Sequence, residues 1–252
     1  MTEAEIVLAL RAAGCVFAEE EAALLVEAAS GESLDALVAR RVAGEPLEQV
    51  LGWAEFCGLR LVVEPGVFVP RQRSRLLVHE ALPLVHKGSV VVDLCCGVGA
   101  LGAALVDAVP GAELHAADID PAAVRCARVN LAGAGVWEGD LYDALPAGLR
   151  GRVDVLVVNA PYVPTDEIAM MPPEARDHEH RVALDGGADG LDLHRRIVAG
   201  AGEWLAPGGH LLIETSRRQA PVTVAVFEAA GLAARVVTDD DLDATAVVGR
   251  LR

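Results

Sequence analysis

Asn159-Ala160-Pro161-Tyr162 closes the apolar run Val153-Asp154-Val155-Leu156-Val157-Val158, so an amide, a tight turn and an aromatic face meet at one strand's C-terminal edge. Open α/β sheets bind ligands at that edge. An Asn side-chain oxygen and the carbonyl of the next residue can both accept hydrogen bonds from one planar NH2 group, while the Tyr ring covers the plane beside it. This arrangement suits the modification of an amide or amino nitrogen, and Asn159, Ala160, Pro161 and Tyr162 are the expected catalytic residues.

A second cluster, Val90-Val91-Val92-Asp93-Leu94-Cys95-Cys96-Gly97-Val98-Gly99-Ala100-Leu101-Gly102, reads as a strand, a glycine-rich turn and a helix start. Gly97-x-Gly99-x-x-Gly102 satisfies the dinucleotide fingerprint, and it also fits a loop that merely turns the chain. Asp93 discriminates between ligands. A carboxylate just ahead of the loop repels a pyrophosphate but suits S-adenosylmethionine, which has no phosphate and carries ammonium and sulfonium charges. Asp118, ending Ala116-Ala117-Asp118, can accept both ribose hydroxyls of a nucleoside, whichever cofactor carries it. Asp140, in Gly139-Asp140-Leu141-Tyr142, is placed to meet an adenine edge, with a solvated loop carboxylate as the plainer alternative. The expected cofactor set is Asp93, Cys95, Gly97, Gly99, Asp118, Ile119, Asp140, Leu141 and Asn159. An amide nitrogen is a poor nucleophile because its lone pair is delocalised. An enzyme acting on one must therefore rely on orientation, and no covalent enzyme intermediate is required.

Other candidates read more plainly. Asp120 before Pro121 is an N-cap with proline at the first helical position. His178-Glu179-His180 has no third ligand nearby and reads as a solvated surface, Asp239-Asp240-Asp241 lacks the glycine and distal Glu of a calcium loop, and no metal is expected. His115 lies in a strand as a packed or edge residue. Arg71, Arg73 and Arg75 alternate, so an extended segment would put them on one face, toward an acidic partner, a substrate backbone or solvent.

Alternating strands and helices must position these clusters. Strands are expected at Val90–Leu94, Leu114–Ala117, near Val136, at Val153–Val158 and His210–Glu214, with terminal strands at Ala234–Thr238 and Thr245–Leu251. Helices are expected at Ala100–Val109, Pro121–Leu131, Leu191–Leu205 and Ala220–Ala230, and the alternation implies an α/β fold with a mostly parallel, Rossmann-like sheet. Ahead of it, residues 1–44 read as a small helical domain opened by the capping box Thr2-x-x-Glu5 and broken at Gly14, Gly31 and Gly44. Residues 45–75 read as a linker with a β-hairpin (Leu59–Val63 against Val67–Val69), and 76–252 as the catalytic domain.

Composition narrows the function classes. The 252 residues are 53% apolar and 23% charged, which describes a core-forming globule. No apolar stretch reaches the roughly 18 residues that cross a bilayer, the first five residues are acidic where a signal peptide is basic, and a cytoplasmic protein is expected. Five scattered cysteines suggest free thiols. The net charge of −16 is spread along the chain, with 13 acids against 8 bases before Ser89, and argues against duplex DNA as a partner.

With the glycine loop and Asn159-Ala160-Pro161-Tyr162 together, the chain resembles the class I S-adenosylmethionine-dependent methyltransferases and, within them, the protein glutamine methyltransferases of HemK/PrmC type that act on peptide-chain release factors. The similarity runs from about Gly44 to the C-terminus and includes Pro65-Gly66-Val67-Phe68-Val69-Pro70-Arg71, Ala183-Leu184-Asp185-Gly186-Gly187-x-Asp189-Gly190-Leu191 and Leu205-x-Pro207-Gly208-Gly209-x-Leu211-Leu212-x-Glu214. The resemblance implies S-adenosylmethionine as cofactor and the Gly-Gly-Gln glutamine of a release factor as acceptor. It also implies a C-terminal antiparallel strand and a helical domain that helps hold the release factor. Ala160 stands where the family has proline, which keeps the carbonyl acceptor and removes one φ restraint. Gln72, Arg73, Ser74 and Arg75 stand where it carries proline and two acidic residues. A ribosomal protein or a nucleobase amine as acceptor, an NAD-dependent oxidoreductase and a non-catalytic cofactor-binding module are the alternatives.

Overall fold

The computed structural model describes residues 1–29 and 33–252, so the expected break at Gly31 lies outside the described residues. Helix α1 (Glu3–Ala12) begins with the reciprocal capping box: the Glu5 N–H donates to Thr2 Oγ1 at 3.4 Å and the Thr2 N–H to Glu5 Oε2 at 2.8 Å. With α2 (Ala18–Ala28), α3 (Leu34–Val42) and α4 (Leu47–Leu51), it buries Ile6, Leu10, Leu25, Leu37, Val38 and Val50 in one cluster, a core that continues beyond residue 44.

This helical unit is tied to the rest by polar contacts. Arg41, with its side chain 7% exposed, pairs with Glu21 at 2.6 Å and with Glu174 at 2.6 Å. The Gln49 side-chain amide donates to the Val67 carbonyl at 2.9 Å and the His178 carbonyl at 3.2 Å. Leaving either partner buried without the other is costly, which fixes the seating of the helices against the loop that carries Glu174 and His178.

The hairpin differs from the expected one. Strand β1 (Trp53–Phe56) pairs with β2 (Leu59–Val62), not Leu59–Val63 with Val67–Val69. Cys57 and Gly58 both take positive φ, 51° and 80°, and form the two-residue turn whose twist suits a hairpin. Val63 N–H continues the pairing onto the Gly52 carbonyl at 3.0 Å, while Val69 N–H is taken by Glu179 at 3.0 Å.

The larger sheet has seven strands in the order β5-β4-β3-β6-β7-β9-β8: β3 (Val90–Leu94), β4 (Glu113–Asp118), β5 (Gly135–Glu138), β6 (Val153–Val158), β7 (Leu205–Glu214), β8 (Leu232–Asp239) and β9 (Ala244–Leu251). Strands β3 to β7 are parallel, and β9 inserts antiparallel between β7 and β8. Every residue of β3 is buried, as a central strand covered on both faces must be. Val91 packs on the side of α6 (Ala100–Ala108) and α7 (Pro121–Asn130), and Val90, Val92 and Leu94 on the side of α9 (Asp192–Trp204) and α10 (Ala220–Ala229). Alternation along the strand therefore sends the Asp93 side chain toward α6. Each fully buried Val or Leu here contributes about 1.5–3 kcal/mol.

Three helices fall where the periodicity predicts none: α4 in the expected linker, α5 (Arg75–Ala81) and α8 (Pro173–His178), of five, seven and six residues, too short to show an apolar stripe. Because Gln72–Ser74 form a single 3-10 turn leading into α5, Arg71, Arg73 and Arg75 do not share the face of an extended segment.

Candidate active site

The C-terminal ends of β3, β4 and β6 open onto a cavity of about 740 Å3, within the range of small-molecule sites. The side where the cofactor is expected, the donor side, at the ends of β3 and β4, is built by backbone. The turn after β3 puts Cys95, Gly97 and Gly99 at φ of 58°, 55° and 82°. Gly97 N–H donates to Asp118 Oδ2 at 2.8 Å and Asp120 N–H to Asp118 Oδ1 at 2.9 Å, so one carboxylate ties the first turn to the second. Burial raises the Asp118 pKa while these backbone bonds oppose it. Asp140 stands at the rim, paired with Arg196 at 2.7 Å. Cys95 and Leu141 (φ 49°) are two of the four non-glycine residues at positive φ among the described residues, and both line the cavity; such strain concentrates at ligand sites.

Cys95, Asp118, Ile119, Asp140, Leu141 and Asn159 all line the cavity. Asp93 does not. It is wholly buried beneath the loop, Oδ2 accepts the Gly102 N–H at 2.9 Å, and Oδ1 has no partner among the described residues. Burial pushes its pKa up to about 8, the Gly102 bond lowers it, and Asp118 raises it further. Gly97 and Gly99 shape the turn without lining the cavity, and a Cβ at Gly97 would meet no atom within 4 Å, leaving room for a ligand against the backbone. Two carboxylates at hydroxyl- and amine-accepting positions with exposed Ile119 beside them fit the nucleoside of S-adenosylmethionine, while Asp93, buried beneath the loop, does not reach the cavity.

The acceptor side is built by side chains from distant segments. Val158 is in register with Ile213, so Asn159 and Glu214 leave the sheet side by side. Glu214, 2% exposed, accepts from Ser74 Oγ–H at 2.5 Å, Tyr162 O–H at 3.0 Å and Arg73 Nε–H at 3.1 Å. Asn159 Nδ2 donates to Ser74 Oγ at 3.1 Å. Among the described residues nothing donates to Asn159 Oδ1 or to the Ala160 carbonyl, so two acceptors are left for a ligand. Ala160, Pro161 and Tyr162 also line the cavity.

Beneath this turn runs the segment from Ala183 to Leu191. Gly186 N–H donates to the Val163 carbonyl at 2.9 Å, Thr165 N–H to the Gly187 carbonyl at 2.9 Å, and Gln219 Nε2 to the Tyr162 carbonyl at 2.9 Å. A Cβ at Gly190 would collide with the Tyr162 carbonyl and with Gln219, which is why this approach requires glycine.

Four arginines and five aspartates line the cavity. Each arginine is paired: Arg71 with Glu179, Arg73 with Glu214, Arg181 with Asp185 and Arg196 with Asp140. The positive charges at positions 73 and 71 are thus answered by buried carboxylates, and the acceptor side is close to neutral. Among the described residues no histidine or lysine lines the cavity. Burial holds the Cys95 and Cys96 thiols well above the usual range, and burial with Glu214 does the same for the Tyr162 phenol, so none of them is an anion near neutral pH. The site offers orientation and no strong base or nucleophile.

Ser74, Glu214, Gln219 and Phe68 are site residues that side-chain chemistry in the sequence did not single out. One signal was present for Glu214: an acid ending an apolar strand, the pattern that pointed to Asp118. His178-Glu179-His180 is a solvated surface only in part: His180 is exposed, its Nδ1 meeting Asp120 Oδ2 at 2.6 Å, but Glu179 is buried on Val69 N–H and Arg71. Asp120 caps α7 as expected, accepting the Ala122 N–H at 2.9 Å, and Asp239 caps the turn before β9.

Residues 58–171 match the family model of the methyltransferase small domain. The chain is 39% identical over 217 residues to the release factor glutamine methyltransferase of Geobacter sulfurreducens, covering 84% of this chain and 75% of that protein. It is 38% identical over 203 residues to the 4-amino-L-phenylalanine/4-methylamino-L-phenylalanine methyltransferase of Streptomyces pristinaespiralis, covering 77% and 70%. A methyltransferase structure from Pyrococcus furiosus shares the fold, with a TM-score of 0.58 at 16% identity over 84% of this chain and 96% of that one. No helix among the described residues is long and apolar enough to cross a membrane.

Proposed function

The chain belongs to the release factor glutamine methyltransferase family, and on that premise we propose that it methylates the side-chain amide nitrogen of the Gly-Gly-Gln glutamine in a peptide-chain release factor, in the cytoplasm. The observation that carries this is the pair of unclaimed acceptors, Asn159 Oδ1 and the Ala160 carbonyl, at the end of β6 on a near-neutral wall.

S-adenosylmethionine supplies a methyl group on a sulfonium centre, already activated for direct displacement. Asp118 and Asp140 are suited to its nucleoside, with Ile119 and Leu141 against the base, Cys95, Gly97 and Gly99 giving close backbone approach, and Asp93 supporting the loop from below. Asn159 Oδ1 and the Ala160 carbonyl hold the two hydrogens of the acceptor NH2, which turns its lone pair toward the cavity. Tyr162 covers the amide plane, and Pro161 fixes the turn. Hydrogen bonds to the amide hydrogens strengthen as positive charge develops on the nitrogen, so they stabilise the transition state more than the ground state. The proton leaves after transfer, when the nitrogen is acidic, so no strong base is required for the transfer step.

The test is transfer of labelled methyl from S-adenosylmethionine into purified release factors, with mass-spectrometric location of the label. The expected result is one methyl on the Gly-Gly-Gln glutamine. Labelling of a ribosomal protein or nucleobase instead, with release factors left unmodified, would overturn the assignment of the acceptor.

A further inference from the structure

We propose that Ser74 and Glu214 are positioning residues that set which way the Asn159 amide faces; the proposal rests on the acceptor-binding role assigned to Asn159 above. An Asn amide is nearly symmetric in shape, and only its hydrogen-bond partners decide whether oxygen or nitrogen faces a ligand. At this site the partners decide it by proton counting.

Glu214, paired with the Arg73 guanidinium at 3.1 Å, is an acceptor that cannot donate. It takes the hydroxyl proton of Ser74 at 2.5 Å and that of Tyr162 at 3.0 Å. Ser74 has one proton, and it is committed. The Ser74 oxygen can therefore meet Asn159 only as an acceptor, and the atom opposite it at 3.1 Å must be Nδ2. Oδ1 is then turned to the cavity. Rotating the amide by half a turn would set Oδ1 against an oxygen with no proton to give and would present NH2 to the substrate NH2, donor against donor.

The same counting extends to Tyr162, whose hydroxyl proton is also spent on Glu214. Asn159 Oδ1 and the Ala160 carbonyl thus form an acceptor-only pair, which selects a nitrogen bearing two hydrogens, while Tyr162 is held in place by Glu214. Glu214 acts through Ser74 and Tyr162 without needing to touch the substrate. The three segments meet only through tertiary structure, with Ser74 at the end of the 3-10 turn before α5, Asn159 at the end of β6 and Glu214 at the end of β7.

Ser74→Ala removes the acceptor that holds Nδ2, Ser74→Thr keeps the hydroxyl, and Glu214→Gln brings a donor that lets the Ser74 proton turn toward Asn159. Kinetics with S-adenosylmethionine and release factor should show kcat about tenfold or more lower for Ser74→Ala and Glu214→Gln, cofactor affinity by calorimetry unchanged, and Ser74→Thr close to wild type. On an Asn159→Ala background Ser74→Ala should cost no more than about twofold, because the group it orients is gone, while Glu214→Gln keeps only the part of its loss that runs through Tyr162. A second readout needs no turnover: in 15N spectra of the free protein, one Asn159 Nδ2 proton should exchange slowly with water in wild type and Ser74→Thr and quickly in Ser74→Ala. Full turnover by Ser74→Ala, an undiminished loss on the Asn159→Ala background, or unaltered exchange of the Asn159 amide would each overturn the proposal. A wild-type protein that transfers no methyl to release factors would sink the acceptor assignment alone, and the exchange measurement would still decide the orientation.

Discussion

The two walls of the cavity are made by different means. The donor wall uses backbone conformation at the ends of two neighbouring strands, and one carboxylate, Asp118, ties both turns together through main-chain N–H groups. The acceptor wall uses side chains from segments far apart in the sequence, gathered on Glu214 and braced from below by the run from Ala183 to Leu191. A wall of local backbone tolerates side-chain change and serves any ligand of the right outline. A wall of converging side chains is sensitive to each member and specifies one acceptor chemistry. Substitutions on the acceptor wall should therefore strike turnover or the fold of the site, and those on the donor wall should strike cofactor binding.

The largest effect expected is on the acceptor wall. Asn159→Ala should lower kcat by about 10²-fold or more, as loss of one preorganised polar contact does, with S-adenosylmethionine still bound at near-normal affinity. Steady-state kinetics beside calorimetry check this, and near-normal turnover would remove the distinction between the walls. Gly190→Ala comes next, since its φ of 77° and the collision of a Cβ with the Tyr162 carbonyl and Gln219 should cost about 2 kcal/mol in stability. Urea denaturation measures it, and an unaltered midpoint would mean that the brace is dispensable.

On the donor wall, pH provides a probe. The Asp93 carboxyl titrates in the folded protein at about 8 against an ordinary 3.8. A group with a raised folded pKa holds its proton longer in the native state, so stability of the ligand-free protein falls as pH rises from about 4 toward 8, by at most about 1.4 kcal/mol per pH unit from this group. Asp93→Asn should flatten that decline by about 1.5 kcal/mol between pH 5.4 and pH 6.5, measured by denaturation at each pH. Identical pH profiles would show that the carboxyl is not protonated beneath the loop. The smallest effect belongs to Asp118→Ala, which should weaken S-adenosylmethionine binding about tenfold, near 1.4 kcal/mol, with kcat at saturation little changed.

The same division governs what the sequence could reveal. The glycine turn, Asp118 and the N-cap Asp120 were legible because each depends on neighbours within a few residues, and β6 with Asn159 was legible because an apolar strand ending in a turn is a local pattern. The role of Ser74 was not, because nothing within ten residues of it names Glu214, and the contact exists only once β6 and β7 are in register. The spacing of Arg71, Arg73 and Arg75 misled because a 3-10 turn and an extended strand are equally compatible with three alternating charges. The hairpin was misplaced because Val67 and Val69 have the β-branched texture of a strand while the turn that closes it, Cys57-Gly58, relies on a non-glycine residue at positive φ. Glu179 looked solvated because its flanking histidines are polar, yet its partner Arg71 lies more than a hundred residues away.

A crystal structure with S-adenosylhomocysteine and a Gly-Gly-Gln peptide tests the central claim most directly. The account predicts the glutamine NH2 bound to Asn159 Oδ1 and the Ala160 carbonyl, with the sulfur facing that nitrogen from the side of Asp118. A glutamine held away from residue 159, or the space in front of Asn159 filled by the protein's own side chains, would contradict it.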